Sequence, residues 1–204
     1  LEELNRNNLS FPIGLSRETG IGYILTGGIS PLSRKSGLAI DQIIEIEGFW
    51  GRGEKFKIRK PTEDTLLNEK LKWKGLCGAA AFLAIVTKIK VKTFRSEPIE
   101  VLSFRVNPNQ LSLLIKDSEE WPNEASLQWQ WKEQICVYLV IQKEGNKSKI
   151  NPEYLKALLN TQIEIKQSFC DNILTAPSFP RPYQKVNKEK VYYSEIIGLL
   201  SKEW

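Results

Sequence analysis

The stretch LAIDQIIEIEGFWGRGEKFKIRK, residues 38–60, decides the fold class. Its isoleucines alternate with acidic residues, which predicts a strand over 38–50 with one apolar face. The glycines of GFWGRG tolerate positive φ and predict a hairpin connection. EKFKIRK then predicts a returning strand over 54–60, with its basic residues on one face. Two strands joined this way indicate an antiparallel sheet.

The rest of the chain extends this pattern. The run ICVYLVI, residues 135–141, is apolar on both faces and predicts the central strand of the sheet. Further strands are predicted over 22–28, 87–94, 99–106, 110–116, 127–131 and 162–169, and helices over 62–86 and 151–159. We therefore predict an α+β fold, with a largely antiparallel sheet and two or three packed helices.

The length of 204 residues suits one domain with an appendage. We predict a single α+β domain over 1–174. Residues 175–204 are predicted to form an extended tether containing Pro177, Pro180 and Pro182, followed by a C-terminal helix that docks back onto the body.

Sequence features also bear on location. The longest apolar run, residues 75–86, is too short to span a bilayer, so no membrane partner is expected. The three cysteines, Cys77, Cys136 and Cys170, are odd in number and widely spaced, which argues against a disulfide framework. We predict a soluble cytoplasmic protein.

The chain contains no histidine. This excludes Ser-His and Cys-His nucleophile pairs within these residues, and it excludes metal sites that use imidazole ligands. Any chemistry must use carboxylates, lysines, tyrosines, hydroxyls or a cofactor.

Positive charge is concentrated in one segment. The chain has a net charge of +5, but residues 55–95 contain eleven Lys and Arg against three Asp and Glu. A strand spaces the residues of one face about 6.6 Å apart, similar to the phosphates along a nucleic-acid strand. The predicted contacts are two alternating triplets, Lys55, Lys57 and Arg59 with Lys88, Lys90 and Lys92, and the outlying Arg34 and Lys35.

The first hypothesis is therefore a non-enzymatic protein that binds DNA or RNA, for example as an accessory subunit of a nucleoprotein assembly, with no cofactor. A solvated strand face is the alternative interpretation, with Glu45 and Glu47 paired to Lys57 and Arg59 across the hairpin. Another hypothesis is a protein–protein interaction scaffold that docks its basic strands on an acidic protein surface.

An enzymatic hypothesis rests on a short motif. Pro152-Glu153 is followed, after ten residues, by Glu164-Ile165-Lys166. This resembles the PD-(D/E)xK motif of metal-dependent nucleases, with Glu153 in place of the usual Asp. The resemblance implies that Glu153 and Glu164 hold Mg²⁺ and that Lys166 helps to position or activate water.

Two weaker candidates remain. Asp41, Glu45 and Glu47 on one strand face are either a Mg²⁺ site or partners for the basic strand that follows. The loop TGGISPLSRKSG, residues 26–37, is either an anion site built from backbone amides with Arg34 and Lys35, or a plain surface loop.

Overall fold

A computed structural model describes residues 2–12, 14, 20–131, 133–143 and 149–177 of the protein. The helices are α1 Glu2–Arg6, α2 Ile21–Leu25, α3 Ser33–Ser36, α4 Leu67–Leu83, α5 Pro108–Ser118 and α6 Pro152–Leu159, with a 3₁₀ turn over Ile40–Gln42. The strands are β1 Leu9–Ser10, β2 Ile43–Trp50, β3 Lys55–Arg59, β4 Ala84–Val91, β5 Phe94–Arg95, β6 Ile99–Val106, β7 Ala125–Trp131, β8 Ile135–Gln142 and β9 Lys166–Cys170.

The strands form three antiparallel sheets, ordered β1-β5, β3-β2-β4 and β7-β8-β6-β9. The predicted α+β class is thus confirmed. The chain divides into two compact units, which we call the N-terminal unit (residues 6–95) and the C-terminal unit (residues 1–5 and 96–204). The predicted tether and C-terminal helix fall almost wholly in 178–204, outside the described residues, and stay predictions.

In the N-terminal unit β2 is the central strand, and Ile46 pairs with Ile58 of β3 and Ile89 of β4. This isoleucine row faces α4. The buried core residues here are Leu25, Ile43, Ile46, Trp73, Leu76 and Ala80. Helix α4 is interrupted over Cys77–Ala79, where Gly78 has φ of 127°, a conformation that favours glycine.

In the C-terminal unit one face of the four-stranded sheet is apolar and packs against α5 and α6. Leu139 of β8 lies directly between Leu127 of β7 and Leu102 of β6. Leu114 of α5 and Leu155 of α6 cover this row and are fully buried. Strand β8 is an inner strand, as the apolar run 135–141 predicts.

Two predicted strands are helical. Residues 110–116 lie in α5, because Asn107 and Gln110 form a capping box: Asn107 Oδ1 accepts from Gln110 N at 2.9 Å, and Gln110 Oε1 accepts from Asn107 N at 3.0 Å. Pro108 then occupies the first turn, where its missing N–H costs nothing. Residues 22–25, the first part of the strand predicted over 22–28, lie in the short helix α2.

Two tryptophans differ from the environments that the sequence pattern predicts. Alternation in LQWQW predicts Trp131 in the core, but it ends β7 and is 59% exposed. The polar neighbours of Trp121 predict a surface position, but it is buried and its Nε1 donates to Asp117 Oδ2 at 2.6 Å. A buried indole N–H needs such a partner.

No helix among the described residues is long and apolar enough to cross a membrane. The cytoplasmic location stays a prediction. The three cysteines are free and partly buried.

Asp117 links α5 to α6. Besides the bond from Trp121, its Oδ2 accepts from the Tyr154 hydroxyl of α6 at 2.5 Å. The hydrogen bond to Asp117 raises the pKa of the Tyr154 phenol. One carboxylate therefore connects the two helices that cover the apolar sheet face.

Asp117→Ala removes the hydrogen bonds that the carboxylate accepts from Trp121 and Tyr154. We expect the free energy of unfolding to fall by about 2 kcal/mol in urea denaturation. Ser112→Ala, at an exposed position of α5, is the control and should change it by less than about 0.5 kcal/mol. Equal values for the two variants would contradict the role given to Asp117.

Candidate functional site

The basic strands flank an acidic one. In the register of the N-terminal sheet Glu47 lies between Lys57 and Lys88, and Glu45 lies beside Arg59. Lys57 Nζ is 2.8 Å from Glu47 Oε1 and 3.0 Å from Glu45 Oε1, and Arg59 Nε is 3.0 Å from Glu45 Oε2. Lys88 Nζ lies 3.7 Å from Glu47 Oε1. The cross-strand ion pairs offered by the alternative interpretation are therefore formed.

These contacts change the electrostatics of the face. Hydrogen bonds from Lys57 and Arg59 lower the pKa of the Glu45 carboxyl, so it stays ionised. The positive charge is divided by a row of glutamates rather than gathered into one track.

The other predicted cations are spread over the unit. Lys90 lies opposite Glu45, and Lys55 Nζ lies 5.8 Å from the centre of the Phe49 ring. Lys92 follows β4, where its N–H donates to Gln42 O, and Arg34 and Lys35 lie in α3.

The predicted nuclease residues do not form a recognisable metal site. Glu153 on α6 is largely exposed and pairs with Lys156 at 3.1 Å. Strand β9 begins at Lys166, so Glu164 lies in the preceding segment and the expected strand alternation is absent. Asp41 lies in the 3₁₀ turn, and its Oδ2 accepts from Leu38 N at 2.9 Å. No group of three potential ligands for a metal is found among the described residues.

The glycine loop, residues 26–30, has an unusual backbone. Gly27 and Gly28 both have positive φ, and their carbonyls accept from Ile40 N and Ala39 N at 2.9 Å. A Cβ on Gly28 would lie 2.5 Å from Ala39 Cβ, whereas a Cβ on Gly27 would meet nothing within 4 Å. Among the described residues, none accepts from the backbone N–H groups of Gly27, Gly28 and Ile29. Gly28 is buried, whereas Gly27 is half-buried and Ile29 is exposed.

The interruption of α4 belongs to the same unit. Gly78 has open space where a Cβ would project. Burial raises the pKa of the adjacent Cys77 thiol, an effect that Lys60 opposes and Asp41 reinforces. Lys60 contacts the 3₁₀ turn that follows the glycine loop, because its Nζ donates to Asp41 O at 2.7 Å.

The C-terminal unit has a second, polar sheet face, opposite the face that packs on α5 and α6. Gln128 of β7 pairs with Tyr138 of β8, Tyr138 with Ser103 of β6, and Ser103 with Lys166 of β9. Paired residues project to the same side of a sheet, so these four form one transverse row. We call this surface the polar sheet face; it also includes Gln142 of β8 and the buried apolar residues Ile99, Val101 and Val140.

Two amides on this face lack partners. Gln128 is 4% exposed and Gln142 is 6% exposed, yet neither Gln128 Nε2 nor Gln142 Oε1 has a hydrogen-bond partner among the described residues. An unpaired buried polar atom costs roughly 1–3 kcal/mol, so its presence needs an explanation. A ligand that supplies the missing acceptor and donor is one.

The turn that follows β9 packs beside the polar sheet face. The Tyr138 hydroxyl donates to Pro177 O at 2.5 Å. Asn172 organises the turn, because its Oδ1 accepts from Leu174 N and Thr175 N while its Nδ2 donates to Asn5 Oδ1 at 2.7 Å.

The sequence holds only a weak signal for this face, and alternation alone does not reveal it. In LQWQW, Gln128 and Gln130 alternate with apolar residues, and both amides are buried. A glutamine row between apolar residues looks like an ordinary solvent face. Only the burial of Gln128 and Gln130 distinguishes this glutamine row from a solvent-exposed one, and burial depends on tertiary structure.

No protein-family model and no curated protein matches the sequence. Solved structures do match the fold. Chitooligosaccharide oxidase has a TM-score of 0.70 at 20% identity, over 84% of this chain and 37% of its own. The BBE-like protein 1 of Physcomitrella patens has 0.71 at 18%, over 89% and 41%. Glucooligosaccharide oxidase from Acremonium strictum, which carries a 6-S-cysteinyl, 8α-N1-histidyl FAD, has 0.67 at 19%, over 83% and 37%.

The likeness is one of fold. The chain spans about two fifths of the length of these proteins.

These structures overturn the functional predictions. The matched proteins named as enzymes are oxidases, and one carries FAD. The predictions of a nucleic-acid-binding or scaffold protein, of a DNA, RNA or acidic-protein partner, and of a chain without enzymatic activity or cofactor are therefore wrong. The Mg²⁺-dependent nuclease is wrong for the same reason. The basic alternation that suggested them reflects cross-strand pairing with Glu45 and Glu47.

The substitution Gln128→Met replaces a buried amide, whose Nε2 has no partner among the described residues, with an apolar side chain of similar length. We expect the free energy of unfolding to stay the same or to rise by up to about 1 kcal/mol. Asn172→Ala, which removes a paired amide, should lower it by roughly 1–3 kcal/mol. Urea denaturation measures both. A loss of stability for Gln128→Met as large as that for Asn172→Ala would show that the Gln128 amide is satisfied within the fold.

Proposed function

We propose that this chain is part of an FAD-dependent oxidase. In this proposal the N-terminal unit contributes backbone that contacts the flavin cofactor, and the polar sheet face binds a hydroxyl-rich substrate. The observation that carries the proposal is the unpaired, buried amide pair of Gln128 and Gln142 within a fold shared with oxidases.

The glycine loop fits the phosphate part of FAD. Backbone N–H groups without acceptors attract anionic oxygens, and Gly27 allows close approach because no side chain occupies the space. Arg34 and Lys35 follow in α3, and burial lowers the pKa of Arg34 without removing its charge at neutral pH. Gly78 provides a second stretch of backbone with open space for a planar group.

FAD, when bound, supplies the chemistry of accepting a hydride equivalent from the substrate. The chain supplies contacts and orientation. The histidyl link to FAD in glucooligosaccharide oxidase has no counterpart here, because these residues contain no histidine. Burial raises the thiol pKa of Cys77 and Cys170, which disfavours the thiolate. We therefore propose that the flavin is held without a histidyl bond and without a bond to Cys77 or Cys170.

The polar sheet face fits a neutral, hydroxyl-rich molecule such as a carbohydrate. A sugar hydroxyl both donates and accepts, and this face offers a donor at Gln128 Nε2 and an acceptor at Gln142 Oε1. The names of two matched proteins, a chitooligosaccharide oxidase and a glucooligosaccharide oxidase, support the same class. A ligand of this kind would satisfy the amides that the fold leaves unpaired.

Gly27→Val tests the flavin contact. We expect the dissociation constant for FAD to rise at least about tenfold, because the added side chain fills the space where the cofactor would approach. Gly53→Val is the matched control: Gly53 also has positive φ and open surroundings, but it lies in the β2–β3 turn. Titration of the purified apoprotein followed by flavin fluorescence measures both. Equal weakening, or no binding by wild type, would contradict the proposal.

Gln128→Met tests the substrate face. With FAD bound, wild type should release hydrogen peroxide when given chitooligosaccharides or glucooligosaccharides. The variant should bind FAD as wild type does, while kcat/KM falls about 10–100-fold through loss of a buried hydrogen bond. A variant with unchanged kcat/KM would exclude this face as the substrate site.

A further inference from the structure

The polar sheet face is buried along one edge and exposed at the opposite corner. Strand β7 forms the buried edge, where Gln128 and Gln130 are 4% and 7% exposed. On the other side of the sheet, Ser103 of β6 is half-buried, and Arg105 of β6 and Lys166 of β9 are exposed. Solvent therefore reaches this face at the corner that β6 and β9 form.

The exposed corner is cationic. Ser103 pairs with Lys166, and Arg105 lies two residues farther along β6, so the three side chains project to the same side of the sheet. Diagonal neighbours on a sheet lie roughly 7–8 Å apart, which brings both cations beside one serine hydroxyl. We call Ser103, Arg105 and Lys166 the cationic corner.

The described chain does not neutralise this corner. Strands β6 to β9 place no carboxylate on the polar sheet face. Glu164 is the acid nearest to Lys166 in sequence, but it precedes β9, and neither Arg105 nor Lys166 forms an ion pair with it or with any other described residue.

Other cations on the sheets have carboxylate partners. Lys57 and Arg59 pair with Glu45 of the neighbouring strand, and Lys143 Nζ lies 3.2 Å from Glu100 Oε2. Pairs of opposite charge across strands stabilise a sheet. The cationic corner departs from this pattern and leaves two positive charges available to an anion from outside the described residues.

We propose that the cationic corner binds the carboxylate of an acidic sugar unit, so that the substrate is an oligosaccharide containing a uronic acid. This inference rests on the proposed function, in which the buried amides of the same face bind a neutral unit of that molecule. The planar guanidinium of Arg105 holds a carboxylate through two parallel hydrogen bonds, and Lys166 adds a second positive charge. The Ser103 hydroxyl both donates and accepts, as a sugar hydroxyl requires.

The dimensions of the face suit more than one sugar unit. Arg105 and Gln128 are two strands and two residues apart, which places their Cα atoms roughly 12 Å from each other. In the row that joins Arg105 to Gln130, the middle residue Cys136 is half-buried, so the face is accessible from the corner inward. This separation leaves room for a neutral unit at the amide edge and an acidic unit at the corner.

A matched pair of oligosaccharides tests the proposal. One probe is the methyl glycoside of cellotriose, and the other is the same compound with a carboxylate at C6 of the unit farthest from the methyl group. Calorimetry with the full chain measures the dissociation constant of each probe. The blocked reducing end prevents oxidation there, so binding is measured without turnover.

We expect the acidic probe to bind at least about tenfold more tightly than the neutral probe in about 50 mM salt, because charge-assisted hydrogen bonds are added. The advantage should shrink as the salt concentration rises, since exposed charges are screened. Equal affinity of wild type for the two probes would overturn the proposal.

A double variant locates the contact. Arg105→Gln with Lys166→Gln should abolish the preference for the acidic probe and leave the affinity for the neutral probe as in wild type. Arg52→Gln with Lys72→Gln is the matched control, because it removes the same charge at exposed positions of the N-terminal unit and should keep the preference. A preference that survives in the first variant, or is lost in the second, would contradict the assignment to the cationic corner.

The outcomes separate this inference from the proposed function. Equal binding of both probes, with release of hydrogen peroxide from glucooligosaccharides, would support the oxidase and refute only the acidic subsite. A preference for the acidic probe without release of hydrogen peroxide from any oligosaccharide would support the subsite and contradict the oxidase. Binding of neither probe would contradict both.

Discussion

A buried amide needs a hydrogen-bond partner, and the two buried glutamines of the C-terminal unit are the part of the structure where this need is not met within the described residues. Its sheet has one face satisfied by apolar packing against α5 and α6, and another on which Gln128 and Gln142 are buried with an atom unpaired among the described residues. An apolar side chain at either position would avoid the cost. These two amides are the observation on which the substrate role that we propose for this face rests.

The N-terminal unit is governed by a different balance, that of charge across a sheet. Strand β2 places Glu45 and Glu47 between the basic residues of β3 and β4. Neighbouring strands lie about 4.8 Å apart, so Glu47 reaches Lys57 of β3 and Lys88 of β4, and Glu45 pairs with Lys57 and Arg59 of β3. The face is held together by its own ion pairs, and its net charge is a weak guide to function.

The backbone conformation of three glycines is the third feature that bears on the proposed function. Gly27 and Gly78 adopt positive φ with open space beside them, and Gly28 adopts it against Ala39. Gly28 therefore serves packing, whereas the other two leave backbone accessible. Helix α4 of the same unit also has two exposed leucines, Leu67 and Leu71.

Sequence alone determined the α+β class, the inner position of β8 and a helix over 151–159, because alternation and helix periodicity are local properties. It misplaced α5, since Asn107 and Pro108 begin a helix as readily as they form a turn. Tertiary structure decided the site. Only strand pairing shows that Glu45 and Glu47 divide the basic strands, and only burial separates Gln128 from a solvent-facing glutamine, because both depend on residues distant in the chain.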